Sequence, residues 1–194
     1  MNLDEKTLIS KSKAGDRQAF SALVEKYQSK IINMSYGMLS DQEDAYDAAQ
    51  EVFIKVFRSI DSFEEKSSFS TWIYRITVNV CNDMLRKRQR KISALSLSST
   101  ADGDEEKVLE IKDDAPTPQD TAETNETQLE VRRAISELSD EYKTVITLFD
   151  LEGLSYDEIS SIINVPVGTV KSRLSRARSA LKKNLLKKRE LFLK

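Results

Sequence analysis

Basic and small hydroxyl side chains near the C-terminus are spaced in a way that suits contact with nucleic acid. Lys171 and Arg176 can donate hydrogen bonds to guanine acceptors and to phosphates, and the small side chains of Ser172 and Ser175 allow close entry to the major groove. From Ile159 to Arg189 there are nine basic residues and no acidic one. Most basic runs are only solvated surface, however, so charge alone favours a helical hairpin with a solvated basic face.

A short capped helix, a tight turn and a second helix are predicted to position these side chains. Ser155 and Glu158 have the spacing of a capping box, which marks the start of the first helix. Asn164-Val165-Pro166 interrupts that helix, and the second helix starts at residues 167–169. Such a unit is a helix-turn-helix, which moves the balance towards DNA binding. The candidate DNA contacts are Thr169, Lys171, Ser172, Arg173, Ser175, Arg176 and Arg178.

Composition argues against most catalytic chemistry. The 194 residues include no histidine and one cysteine, Cys81, and no glycine-rich phosphate loop is present. An intramolecular disulfide, a cysteine-cluster metal site and a histidine triad are therefore excluded. Catalysis by Asp or Glu with magnesium stays open in principle, but no clustered carboxylate motif indicates it. We expect no enzyme activity, no cofactor and no metal.

The apolar segments are too short to cross a bilayer, and residues 1–5 lack the basic-then-apolar pattern of a signal peptide. We therefore expect a cytoplasmic protein without direct membrane insertion.

An all-α fold of two small helical domains is predicted, with an acidic flexible linker between them. Four amphipathic helices precede residue 92: one from about Asp4 to Lys13, two with caps at Asp16 and Asp41, and one opened by Ser70. The segment that follows lacks a sustained period and is rich in Ser, Asp, Glu and Thr. The predicted domains are residues 1–91 and 126–194, and the linker is residues 92–125. Whether the domains are compact and mutually masked or splayed apart stays open.

Four stretches of the sequence resemble extracytoplasmic-function (ECF) sigma factors. They are GDRQAFSALVEKYQSKI, DAYDAAQEVFIKVFRSIDSF, FSTWIYRITVNVCNDMLRK and LEGLSYDEISSIINVPVGTVKSRLSRAR. They occur in the family's order and cover roughly residues 13–90 and 126–182. A helix-turn-helix alone is a weak signal, whereas the joint pattern is highly specific. The resemblance implies a factor that binds core RNA polymerase and directs promoter-specific initiation, for a stress or envelope response regulon.

The resemblance also implies two roles for the N-terminal domain. The helix containing DAAQEVF would dock on the clamp helices of the largest polymerase subunit, with Asp44, Asp47, Gln50 and Glu51 as candidate contacts. The loop at 61–69 and the fourth helix would recognise and open the minus-ten element. The candidate residues there are Phe69, Trp72, Arg75, Asn79, Asn82, Asp83 and Arg86. Amides can read the base edges of an opened strand, aromatic rings can stack on bases, and arginines can bind phosphates.

Some of these residues have an ordinary structural alternative. Trp72 lies beside an apolar face and is as well explained by packing, and Asp83 could form a surface ion pair with Arg86 or Lys87. The acidic residues of the DAAQEVF helix could be no more than a solvated face. Cys81 is expected to be a small buried or half-buried side chain.

The helix-turn-helix unit, which the resemblance assigns to the minus-thirty-five element, departs from the family at two places. Phe149-Asp150 follows ITL where many relatives have a basic residue, and Ser175 occupies a position where bulkier residues occur. Both differences affect any promoter sequence transferred from the family. The resemblance further implies an anti-sigma protein as a partner. The alternative function is a stand-alone dimeric helix-turn-helix regulator, which would explain residues 126–189 but not the DAAQEVF helix.

Overall fold

All regular structure in the described part of the chain is helical. The computed structural model describes residues 4–98 and 122–192, with side chains over 4–93 and 129–187. The N-terminal unit consists of α1 (Glu5–Lys13), α2 (Arg17–Leu39), α3 (Gln42–Ser59), a 3₁₀ turn (Ile60–Ser62) and α4 (Phe69–Ser98). The C-terminal unit consists of α5 (Ala122–Ser136), α6 (Asp140–Ile146), a π-helical turn (Thr147–Leu151), α7 (Tyr156–Ile163) and α8 (Val167–Phe192). The predicted all-α class is confirmed.

Side-chain caps fix the starts of three N-terminal helices. The Asp16 carboxylate accepts hydrogen bonds from the backbone N–H groups two and three residues later, at 2.9 and 3.1 Å, and so starts α2. Asp41 does the same for α3 through the N–H three residues later, at 2.8 Å. Ser68, rather than Ser70, begins α4, because its hydroxyl accepts from the N–H of Thr71 at 3.1 Å.

Helix α2 lies at the centre of the N-terminal unit, and α1, α3 and α4 pack around it. The predicted apolar stripe of α2 is buried at Leu23, Tyr27, Ile31, Met34 and Met38, while its other two members, Phe20 and Val24, are half-buried. The period of 3.6 residues therefore identified the core face of this helix correctly.

The two units share one apolar core. Leu148, Ile159, Ile162 and Val170 of the C-terminal unit belong to the same buried cluster as the α2 stripe. Helix α7 packs on α4, and α2 packs on α5, α6 and the π-helical turn. Of the two arrangements that the sequence left open, the described structure has the compact one.

Two helices extend into the predicted linker. Helix α4 continues to Ser98, because no glycine or proline follows Lys91 before Gly103, and α5 starts at Ala122. Residues 92–98 and 122–125 are therefore helical. The rest of the proposed acidic linker, residues 99–121, lies outside the described residues, and the division into domains stays a prediction.

The two units also approach each other closely at Gly37 of α2. A Cβ atom at this position would lie 2.6 Å from Oγ1 of Thr147 and 3.0 Å from its Cγ2. Thr147 is fully buried, and its β-branched side chain has little freedom to rotate away. Glycine is therefore required here by contact with the C-terminal unit.

We expect Gly37→Ala to separate the two units. Overpacking of this kind costs about 1–3 kcal/mol, which shifts an open-to-closed equilibrium roughly 5- to 150-fold. Alanine is the better helix former, so α2 itself should not be weakened. Small-angle X-ray scattering of the full chain should show a larger radius of gyration. The matched control is Gly168→Ala, where nothing lies within 4 Å of the added Cβ. Equal radii for both variants and the unmodified chain would contradict this account.

Candidate nucleic-acid and protein interfaces

The predicted capping box of the helix-turn-helix is present. The backbone N–H of Ser155 donates to Oε2 of Glu158 at 2.9 Å, and the hydroxyl of Ser155 accepts from the N–H of Glu158 at 3.3 Å. The backbone and side-chain hydrogen bonds from Ser155 lower the pKa of Glu158. Helix α7 ends at Asn164, which adopts the left-handed conformation with φ 54°. These local features set the angle at which α8 leaves the turn.

Helix α8 separates the predicted DNA contacts by face. Val170, Leu174 and Ala177, at spacings of four and three residues, form its buried side, and Leu181 is half-buried. The side chains on the exposed side are Lys171, Ser172, Ser175, Arg176 and Arg178, while Thr169 and Arg173 are half-buried. The structure thus brings five of the seven predicted residues to one exposed surface.

Two arginines of α8 are held by acidic residues that precede the helix-turn-helix. Arg173 Nη2 lies 3.3 Å from Oε1 of Glu141. Arg178 donates from Nε to Oδ2 of Asp150 at 3.2 Å and from Nη2 to Oδ1. These ion pairs could not be inferred from spacing, because each partner is about 30 residues away.

The polar face of α4 borders a cleft between the two units. Four predicted minus-ten residues line one side of this cleft of about 650 Å³: Arg75, Asn79, Asn82 and Arg86. The opposite side is formed by α6, α7 and α8. Arg75 Nη2 donates to the backbone oxygen of Ser161 at 2.9 Å, and Gln89 contacts Asp140 at 3.3 Å. In this arrangement the C-terminal unit stands over the α4 face. Asp83 forms an exposed ion pair with Arg86 at 3.7 Å, which is the structural alternative considered for it.

The aromatic candidates at the start of α4 form a cluster with the loop before it. Phe69 is only 2% exposed and packs edge-on against Tyr27 and Phe63. Trp72 is half-buried, with its ring centroid 5.1 Å from that of Phe63 and 5.6 Å from that of Phe69. Both rings therefore have a packing role, and their contact with DNA stays a prediction. Phe69 is not accessible to DNA in this arrangement.

The outer face of α3 contains both predicted and unpredicted surface residues. Asp47 and Gln50 are exposed and Asp44 is half-buried, whereas Glu51 pairs with Lys55 at 3.0 Å. The sequence interpretation missed three large exposed side chains on this helix: Tyr46, Ile54 and Phe57. They could have been found as a second apolar stripe at spacings of eight and three residues, away from the core stripe of Ala45, Ala49, Val52 and Val56.

The described residues contain neither a metal-binding cluster nor a helix that could span a membrane. Across 4–98 and 122–192, no group of three or more Cys, Asp or Glu residues is arranged to hold a metal ion. None of the helices in these ranges has the length and apolarity to cross a bilayer. Cys81 is fully buried, and burial raises the pKa of its thiol to about 11, as expected for an unreactive core residue.

Known proteins are similar to this chain over both units. The family Sigma-70 region 2 matches residues 23–91, and Sigma-70, region 4 matches residues 128–181. The chain is 38% identical to the ECF RNA polymerase sigma factor SigW of Bacillus subtilis, over 95% of this chain and 98% of that protein. It is 35% identical to the ECF RNA polymerase sigma-E factor of Escherichia coli K12, over 92% of this chain and 93% of that protein.

Among solved structures, the chain is similar to the sigma factor RpoE in complex with the anti-sigma factor NepR from Bartonella quintana. The TM-score is 0.68 at 26% sequence identity, covering 87% of this chain and 96% of that one.

We expect Ser155→Ala to destabilise the helix-turn-helix. Loss of an N-cap hydroxyl costs about 1 kcal/mol, since the N–H of Glu158 then loses its acceptor. Chemical denaturation followed by circular dichroism should show the lower midpoint. Ser161→Ala removes an exposed hydroxyl within the same short helix and should change stability by less than about 0.5 kcal/mol. Equal stability of the two variants would refute the capping role.

Proposed function

Because this chain belongs to the ECF RNA polymerase sigma factors of the Sigma-70 family, we propose that three of its surfaces divide the work of promoter-specific transcription initiation. The chain directs initiation as a sigma factor, while its partner, core RNA polymerase, synthesises the RNA. We infer that it has no catalytic site of its own and acts in the cytoplasm, where that polymerase works. The observation that carries the proposal is the match to both sigma regions in one chain, together with an exposed basic face on α8.

The exposed face of α8 is assigned to the minus-thirty-five element. Lys171 and Arg176 supply donors for guanine and phosphate, and Ser172 and Ser175 leave room for the helix to enter the major groove. Arg173 and Arg178, the other two predicted arginines, are paired with Glu141 and Asp150 in the described structure and would contact the duplex only if those ion pairs opened. The buried face of α8 supports this assignment, because it anchors the helix and leaves these side chains exposed on one side.

The polar face of α4 is assigned to the minus-ten element. Asn79 and Asn82 offer amides to the edges of unpaired bases, and Arg75 and Arg86 offer guanidinium groups to phosphates. Their common position on one cleft wall supports the assignment. Trp72 lies in the first turn of the same helix, next to Phe63. A base stacked on Trp72 would therefore meet two neighbouring aromatic rings.

We infer that promoter binding on this assignment separates the two units. Asn79 is exposed, but α6, α7 and α8 form the opposite wall of the cleft and leave about 650 Å³ in front of it. The closed contact includes Oγ1 of Thr147, which is buried without a hydrogen-bond partner among the described residues. Its hydration on opening offsets part of the cost of separation. Polymerase binding would supply the rest by holding each unit at its own promoter element.

The outer face of α3 is assigned to the clamp helices of the largest polymerase subunit. Asp47 and Gln50 supply polar contacts, and the exposed side chains of Tyr46, Ile54 and Phe57 supply apolar area. Interfaces take most of their binding energy from a few large side chains at the centre, so these three are the stronger candidates.

We also infer an anti-sigma protein as a regulatory partner. RpoE of Bartonella quintana was solved with its anti-sigma factor, and the similarity extends over most of both sigma chains. A protein that stabilised the closed arrangement would keep the α4 face away from DNA. No finding on this chain favours a stand-alone dimeric regulator.

Run-off transcription with core polymerase tests the DNA assignments. On a promoter library, initiation should depend on this protein and fall about 5- to 150-fold in Asn79→Ala and in Arg176→Ala, because loss of a base contact costs about 1–3 kcal/mol. The matched controls are Asn33→Ala and Arg17→Ala, which change exposed residues of the same types on α2. Absence of protein-dependent initiation would overturn the function, and equal losses in the controls would overturn the residue assignments.

Binding to core polymerase tests the α3 surface. Ile54→Ser should weaken binding about 5- to 30-fold, since truncating a central apolar contact costs about 1–2 kcal/mol. Ile92→Ser is the matched control, because Ile54 and Ile92 are 51% and 54% exposed. Affinity can be measured by fluorescence anisotropy of the labelled protein. If both variants bind as tightly as the unmodified chain, α3 does not dock through its apolar residues.

A further inference from the structure

On one flank of α8, the arginine Arg178 forms an ion pair with a carboxylate outside the helix. Arg178 lies seven residues after Lys171, two helical turns along the same side of the helix. Its guanidinium donates from Nε and Nη2 to the two carboxylate oxygens of Asp150. It also stands 5.0 Å from the ring centroid of Phe149. Ion pair and ring together fix the side chain in one position.

The ring beneath Arg178 is itself held in place. Phe149 stacks on Tyr156 with a centroid distance of 4.9 Å and an interplanar angle of 16°. Lys171 Nζ lies over the Tyr156 ring, 5.4 Å from its centroid. The result is a four-membered stack along the flank of α8: Arg178, Phe149, Tyr156 and Lys171. Within this stack only Arg178 has a carboxylate partner in the described structure.

We propose that Asp150 withholds Arg178 from the DNA backbone and so lowers the affinity of this sigma factor for the minus-thirty-five duplex. The inference rests on the proposed function of α8. A phosphate that approached Arg178 would meet a neutral pair and would have to displace two hydrogen bonds from a carboxylate of the same charge. The guanidinium is held against Asp150 and Phe149, outside α8, so we assign the lost contact to the DNA backbone, where it carries no sequence information.

The proposal predicts the direction in which DNA affinity changes when a substitution removes only the charge of Asp150. In Asp150→Asn the guanidinium loses its countercharge, since the amide oxygen is a neutral acceptor, and it can therefore exchange that bond for one phosphate contact and displace one more counterion. The slope of log binding constant against log salt should steepen by about 0.9. Between 50 and 200 mM salt the variant should lose roughly 3.5-fold more affinity than the unmodified chain, and at the lower salt it should bind more tightly. The gain should be equal on promoter DNA and on DNA with a scrambled minus-thirty-five element.

The experiment uses holoenzyme assembled from core polymerase and the full chain, with fluorescently labelled duplexes over a series of salt concentrations. Asp157→Asn is the control for net charge, because Asp157 is an exposed acid of the same helix-turn-helix unit. The steepening should be absent in Asp157→Asn and should disappear in Asp150→Asn/Arg178→Ala. Arg178→Ala alone should leave the slope of the unmodified protein unchanged. Circular dichroism melting of each variant checks that the unit is folded.

The possible results distinguish a failure of the proposed role of Asp150 from a failure of the proposed sigma function. An unchanged slope in Asp150→Asn, or equal steepening in Asp157→Asn, would overturn the withholding role while leaving the sigma function intact. A loss of affinity on promoter DNA alone would show that Asp150 instead orients Arg178 for base contact. If unmodified holoenzyme bound no better than core polymerase, the function of α8 and this inference would both fail.

Discussion

Burial of the apolar stripe of α2 organises both halves of the molecule. The stripe is covered by α1, α3 and α4, and the far end of α2 meets the C-terminal unit, with Gly37 against Thr147. Small helical units bury a limited fraction of their surface, so a core completed by four apolar side chains from a neighbouring unit is more stable than either core alone. The same contact costs an unpaired buried hydroxyl at Thr147. It is therefore tight enough to close the cleft but keeps a buried polar atom that water would satisfy on opening.

Packing of the two units against each other affects the polar surfaces of α3, α4 and α8 differently. The α4 face turns towards the C-terminal unit and lines the cleft, whereas the outer face of α3 and the serine-containing face of α8 stay exposed. The outer face of α3 lies away from the cleft, whereas any strand bound to α4 would share the cleft with the C-terminal unit.

Acidic residues outside α8 balance part of the positive charge of this helix. The long basic run suggests a strong, undirected attraction to phosphate, yet Glu141 and Asp150 pair with two of its arginines. Lys171 and Arg176 are exposed and have no carboxylate partner among the described residues. The number of basic residues in the run therefore exceeds the number of phosphate contacts that it can make.

The local structure of this protein follows from residues that are neighbours in the chain. The all-α class, the caps at Asp16 and Asp41, the capping box at Ser155 and the buried stripe of α8 all depend on residues within one or two turns of each other. Helix α4 continues beyond residue 92, because loss of the apolar period does not stop a helix that lacks a glycine or proline.

Tertiary structure alone decided which of the predicted site residues are accessible. Phe69 entered the core, Arg178 was paired with Asp150, and the α4 face was turned towards a cleft. Each of these results depends on side chains far apart in sequence. Helical periodicity separates a buried face from an exposed one, but it contains no information about which exposed face a second unit will cover. That choice depends on shape, such as the room that Gly37 leaves for Thr147, and shape exists only once the helices have packed.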